Sequence, residues 1–255
     1  DFSKVRGILD RCIEAQEWAP AAMMVELGLW ILDFAGDSPL TRRFLIDADR
    51  ILPQASGSVP TAWVSLAQAR YVYLGEPEKG LNAARNALRF ASESNDDWLE
   101  SRALNRLMAC LFVTGRLNLP EGIRLVESAL RHADNTGNQV LRQDVLSNLC
   151  NWYIDIGHIS EARETFDTLS SSLPAAPSTL DQLRLLVAEG ELSLREGHPE
   201  RALECFIAAS ESGLGLSGSH RAHNTAGQIL ALLELGRRRE ALGLRTILEG
   251  VSEKD

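Results

Sequence analysis

The residues of this 255-residue chain that could do chemistry fall into a few tight groups. Gly213-Leu214-Gly215-Leu216-Ser217-Gly218 matches a Gly-x-Gly-x-x-Gly phosphate loop letter for letter. Such a loop cradles a dinucleotide only between a strand and a helix. Here it separates two helical stretches, so it reads as an inter-element loop. His220 and His223 are three residues apart, a spacing two metal ligands would use on one helix face. No third ligand stands near them and Arg221 lies between, so they read as a surface pair. His132, His158 and His198 fall at turns or helix ends, where exposure is expected. The acidic pairs Asp96-Asp97 and Asp47/Asp49 suit helix starts or solvated faces better than acid–base catalysis. Arg237-Arg238-Arg239 reads as a solvated tip complementing a helix C-terminus, with an acidic partner as the alternative.

No Gly-x-Ser-x-Gly, Walker, His-Glu-x-x-His or EF-hand pattern is present. No nucleophile–base pair is evident. The chain therefore reads as non-catalytic, without a metal site or cofactor. Cys12, Cys110, Cys150 and Cys205 lie far apart and form no Cys-x-x-Cys. They read as reduced, buried thiols, which places the protein in the cytoplasm.

The elements that must carry these residues are helical. Alanine and leucine dominate, β-branched runs are absent, and hydrophobic residues make up 45%, enough for a core. A net charge of −9 argues against binding a phosphate backbone, so no direct nucleic-acid partner is expected. No apolar run reaches the roughly 18 residues needed to span a bilayer, so no membrane partner is expected. The chain opens on Asp1 without a methionine. A fragment of a longer protein, with the output activity elsewhere, is the expectation.

The helices repeat. Trp63–Leu74 reads as one helix, Gly75 to Lys79 as a turn, and Gly80–Ala91 as a second helix. Glycine ends a helix well because it enters the left-handed region without a Cβ clash. Proline at 77 suits the first turn of the next helix. Equivalent glycines stand at 36, 75, 115, 157, 197 and 236, at intervals of 39, 40, 42, 40 and 39 residues. A near-constant period of this size marks a stacked repeat array. Five positions after the glycine stands a small residue (Gly80, Ala162, Ala202, Ala241), with Gly122 in that role in the longer third turn. Eleven and four positions before it stand mostly apolar residues, seven apart and hence on one face. Thr225 and Ser193 are the exceptions. The repeats fall at about residues 19–52, 61–92, 98–133, 140–170, 180–212 and 220–249, with 3–17 a leading half repeat. One continuous solenoid is expected, with residues 170–178 as its longest loop.

The Gly-x-x-x-x-Ala turn, Tyr71 and Tyr153 before the glycine, and Phe166 and Phe206 after it resemble the tetratricopeptide (TPR) family over nearly the whole chain. The period of about 40 exceeds the family's 34, and the early Trp-Leu-Gly signature is mostly missing. HEAT-like repeats share the period but lack the glycine-then-alanine turn. Longer copies of this kind resemble sensor regions of bacterial LuxR-type regulators and arrays ahead of nucleotide-cyclase domains. The resemblance implies an all-α, right-handed superhelical solenoid of helix-turn-helix repeats, whose first helices line a concave groove.

Mapped through that resemblance, the groove positions include Arg102, Asn105, Asp144, Asn148, Asn151 and Arg184, with Asp155, Glu191 and Arg195 further along and Trp30 and Tyr73 from the early copies. Asparagine can pair with a peptide backbone and arginine can fork onto a carboxylate, so Arg102, Asn105, Asn148 and Asn151 are expected to form a peptide clamp. The function implied is an interaction or effector-sensing module of a larger bacterial signalling or transcription-regulatory protein, with a protein or peptide segment, or a small effector, as partner. The rival is a dimerisation or scaffolding arm that forms a homodimer.

Overall fold

The computed structural model describes residues 2–35, 38–174, 176–212 and 218–252. Among these the regular structure is helical and no strand occurs. A leading helix α1 (Phe2–Glu14) precedes six helical hairpins. They are α2 (Trp18–Ala35) with α3 (Ser38–Ile51), α4 (Ser58–Gln68) with α5 (Pro77–Ser94), and α6 (Asp97–Val113) with α7 (Leu119–Thr136). Then come α8 (Gln139–Asp155) with α9 (Ile159–Ser172), α10 (Thr179–Arg195) with α11 (Pro199–Glu211), and α12 (Gly218–Glu234) with α13 (Arg238–Ser252). The architecture is an all-α array of tandem hairpins.

The chain divides into two compact units. The first comprises Asp1–Asp33 and Asp37–Val145, the second Phe34–Gly36 and Leu146–Asp255. In the first unit α4 packs on α5, α5 on α6 and α6 on α7, and the first helices α4 and α6 also touch. The second repeats the scheme, with α10 on α11, α11 on α12, α12 on α13, and α10 on α12. Within each unit the hairpins thus bury their apolar seams on one another, as a repeat array requires.

The turn glycines set the hairpins. Gly75, Gly115, Gly157, Gly197 and Gly236 all have φ between 66° and 82°, the left-handed region in which a Cβ would be strained. The next residue's N–H then donates to the carbonyl five residues back: Glu76 to Tyr71, Arg116 to Leu111, His158 to Tyr153, His198 to Ser193 and Arg237 to Leu232. That is the Schellman closure. Its acceptors are the residues four before each glycine, so one position both closes the turn and packs into the seam. Ser193 is only 1% exposed and Thr225 6%, so both exceptions to the apolar pattern are buried. Gly36 lies outside the described residues.

One element departs from expectation. The sequence reads as a single helix over Trp63–Leu74, but α4 ends at Gln68 and residues Ala69–Leu74 tighten into a 3-10 helix. Gly80 accounts for the room this needs. A Cβ there would lie 2.5 Å from the Val72 nitrogen and 2.8 Å from the Ala69 carbonyl oxygen. The narrowed helix lays its backbone directly on α5, where the last three hairpins carry alanine at 0% to 3% exposure (Ala162, Ala202, Ala241).

The first unit's core runs from Leu9, Cys12 and Ile13 of α1 through Val25, Leu29, Phe44 and Ile51 to Val64 and Tyr71, so α1 packs as half a repeat. The second unit centres on Phe206 with Leu203, Ala231 and Leu232. Each leucine fully buried in these seams contributes about 1.5–3 kcal/mol. No helix among the described residues is long and apolar enough to cross a membrane.

Candidate functional site

In the first unit, charged side chains from the first helices of four successive hairpins meet beneath the surface. Glu26 comes from α2, Arg70 from the 3-10 segment, Arg102 from α6 and Asp144 from the start of α8. Glu26 accepts from Arg70 Nη1 with one oxygen and, at 2.8 Å, from Arg102 Nη2 with the other. Arg102 Nη1 donates to Asp144 at 2.7 Å, and Asn105 donates to the same Asp144 oxygen at 3.4 Å. Glu26 and Arg70 are 1% exposed and Arg102 7%. Buried charges persist only when paired and hydrogen-bonded, and here two cations face two anions.

Tryptophans flank this line. The Arg102 guanidinium lies 5.4 Å from the Trp30 ring centre and 5.6 Å from that of Trp98, within cation–π range. Trp98 in turn packs on Trp63, ring centres 4.8 Å apart. All three indoles are partly exposed. Two donors inside the cluster, Trp30 Nε1 and Arg102 Nε, are buried and have no partner.

The expected clamp is therefore modified at its centre. Arg102 was expected to fork onto a ligand carboxylate, yet both its terminal nitrogens are taken by Glu26 and Asp144, because burial leaves the cation no other way to be neutralised. Asn105 is 5% exposed and bound to Asp144. Asn148, Asn151 and Arg184 belong to the second unit. Asn148 and Arg184 are partly buried and Asn151 is exposed, with Asn148, Asn151 and Asp155 on one face of α8 by spacing. Tyr73 is 52% exposed.

The second unit carries a different charged line on its first helices. Glu191 of α10 pairs with His223 of α12. That hydrogen bond lifts the imidazole above its ordinary value of 6.5. The Asp155 carboxyl is also raised, by burial first and then by Glu191. Nearby, Arg163 reaches Glu196 and Glu189, which raise its pKa. Among the described residues no group of His, Cys, Asp and Glu is arranged to hold a metal.

Several polar residues serve connections that local sequence does not announce. Asp47 takes Arg6 at 2.5 Å. Asp49 accepts from Tyr71 and Gln68, each at 2.7 Å, and from Lys79 at 3.0 Å. Burial pushes Asp49 up, but these donors outweigh it and hold its pKa low. Both aspartates thus tie helices together, where solvated or helix-start roles were expected. His132 is partly buried, contrary to expectation, with Asp97 at 2.6 Å and Glu100 at 3.1 Å. Asp96 does cap α6, accepting from the Leu99 N–H. The four cysteines are free and buried, and burial pushes the Cys150 thiol up to about 12, which leaves it inert. The Gly213–Ser217 stretch and the His220 side chain lie outside the described residues.

Sequence reasoning missed Glu26 and Arg70. Glu26 stands ten before Gly36, as Asn105 stands ten before Gly115. It is also the single acid ahead of Asp33 in an otherwise apolar α2. A lone carboxylate in such a helix signals a buried partner.

Neither a protein-family model nor a curated protein matches the chain. Its backbone is similar to that of a Rap protein complexed with Competence and Sporulation Factor. The TM-score is 0.65 at 14% identity, over 96% of this chain and 73% of that one. It is also similar to a crystal structure of the nearly identical TPR-like repeats assigned to a Podosopora anserina kinesin light chain. There the TM-score is 0.50 at 17% identity, over 74% of this chain and 93% of that one.

Proposed function

This chain has the fold of TPR-like repeat proteins, and we propose that it is a non-catalytic recognition module for a peptide or protein segment. The observation that carries the reading is the line from Glu26 through Arg70 and Arg102 to Asp144. It joins the first helices of four consecutive hairpins and fixes partly exposed tryptophans along them. Tryptophan and arginine are the residues on which binding energy concentrates, and a rigid platform lowers the ordering cost of association. The similarity to a Rap protein in complex with a factor supports a regulatory setting, in which this module belongs to a larger bacterial signalling or transcription-regulatory protein.

Selection of a random peptide library on the immobilised chain tests the proposal. An enriched peptide is expected, bound at least about fivefold more weakly by Asn105→Ala, a loss of about 1 kcal/mol. No enrichment over bare resin would overturn the recognition role. Unchanged affinity in that variant would remove the clamp at Asn105.

A second reading has its own observation. Leu230 and Leu233 of α12 and Leu242 of α13 are 55%, 48% and 62% exposed, three large apolar side chains left in water on the last hairpin. A homodimer through them would make the chain a scaffolding arm. Sedimentation that depends on concentration, abolished by Leu242→Asp, would favour that reading.

A further inference from the structure

The two orphan donors point to the chemistry of the ligand. Buried N–H groups without a partner are rare and each calls for an explanation. Among the described residues only four buried side-chain atoms lack one, and two of the four, Trp30 Nε1 and Arg102 Nε, sit in the same cluster. Arg102 is more than nine-tenths buried, and its Nη1 and Nη2 are already bound to Asp144 and Glu26. The guanidinium is therefore held in place with one donor edge unused. The indole beside it presents a second unused donor, and indole can only donate.

We propose that the Trp30–Arg102–Trp98 cluster seats an uncharged hydrogen-bond acceptor, a carbonyl of an amide, carried next to an apolar group of the bound peptide. This deepens the recognition reading and rests on it. The acceptor is uncharged because Arg102, the cation it would meet, already faces Glu26 and Asp144. A carboxylate entering that site would lose its hydration and meet two carboxylates whose cations are already engaged. An amide carbonyl has two lone pairs with which to accept from such N–H groups and adds no charge. The faces of Trp30, Trp63 and Trp98 offer apolar surface for the neighbouring side chain. Entry moves the Trp30 ring, which is partly exposed, while Arg102 stays where its two carboxylates hold it.

Nitrogen–proton NMR of the tryptophan indoles in the full chain tests this, with 4-methylpentanamide as the probe and 4-methylpentanoate, which carries no amide carbonyl, as its charged counterpart. Trp30→Phe assigns the Trp30 resonance, and Trp152 in the second unit serves as the internal control. In the free protein the Trp30 indole proton is expected at the upfield position of a group without an acceptor. 4-methylpentanamide is expected to move it downfield saturably, leaving Trp152 unmoved, and 4-methylpentanoate to act at least about tenfold more weakly. A Trp30 proton already downfield in the free chain overturns the proposal, as does one the amide leaves unmoved or one the carboxylate moves equally. If it is unmoved while library peptides still bind, this inference fails and the recognition reading stands. If neither binds, both fail.

Discussion

The two units use one hairpin grammar and opposite electrostatics. In the first, Glu26, Arg70 and Arg102 are at most 7% exposed and neutralise one another under a cover of indoles. In the second, the corresponding first helices carry Glu191, His223 and Asp155, of which the His223 side chain is 58% exposed. The turn glycines, the small residue after them and the apolar seam are the same in both. The difference shows that the seam specifies the fold and leaves the remaining face of each first helix free to vary. One unit spends that freedom on a fixed, charge-balanced platform, the other on groups that titrate.

The sharpest way to break the contrast is Glu26→Ala. It leaves two buried arginines facing a single aspartate, and breaking a buried pair by removing one partner costs about 3–5 kcal/mol. Urea unfolding followed by hydrogen exchange should show that loss in peptides of α2, α4 and α6. Glu191→Ala in the second unit, where the pair meets solvent, should cost no more than about 1 kcal/mol. Equal losses would mean the two lines are not different in kind.

The hairpin slot after the turn gives a smaller effect. Gly80→Ala places a Cβ against the Val72 nitrogen and the Ala69 oxygen, both backbone atoms that cannot swing aside. Overpacking of this sort costs about 1–3 kcal/mol. Ala202→Gly in the second unit leaves the same slot roomier and should cost only about 0.5–1 kcal/mol, through backbone entropy. Protection of the α5 amides against those of α11 reads both. A neutral Gly80→Ala would detach the 3-10 tightening of Ala69–Leu74 from the glycine beneath it.

The hairpins were legible because their signals are local. A left-handed turn residue, a small residue five later and apolar positions seven apart are fixed by φ, by helix–helix approach and by helical period. The contacts among the candidate site residues were half legible. Arg102, Asn105 and Asp144 were placed together, but Arg102 was expected to await a ligand because nothing near it in sequence supplies an anion. Its partner Glu26 is 76 residues away, and pairing at that distance is decided by stacking, to which spacing is blind. The same holds for Asp49, whose donors Gln68, Tyr71 and Lys79 come from elements beyond it. The narrowed end of α4 was hidden for a different reason. Gly80 looked like one more small residue in a column of alanines, and only the backbone it touches tells the two apart.

The smallest effect is also the one that separates the units by sign. His223 and Asp155 both have raised values in the folded chain, so through these two groups the second unit binds more protons folded than unfolded. Their contribution to stability must fall as pH rises. For His223 the contribution is complete below the ordinary 6.5 and is lost as pH climbs through the raised folded value. Asp49 in the first unit is depressed, so its contribution is complete above the ordinary 3.8 and is lost as pH falls through the lower folded value. Across the neutral range, then, the midpoint of urea unfolding should drift downward for peptides of α10 and α12 and stay level for those of α3 and α5. His223→Gln should level the drift in the second unit, because glutamine keeps a donor for Glu191 without titrating. The drift will be modest, since the His223 side of the pair meets solvent and is screened by salt. A drift that survives in His223→Gln, or one that appears equally in both units, would show that the titrating line of the second unit does not govern its stability.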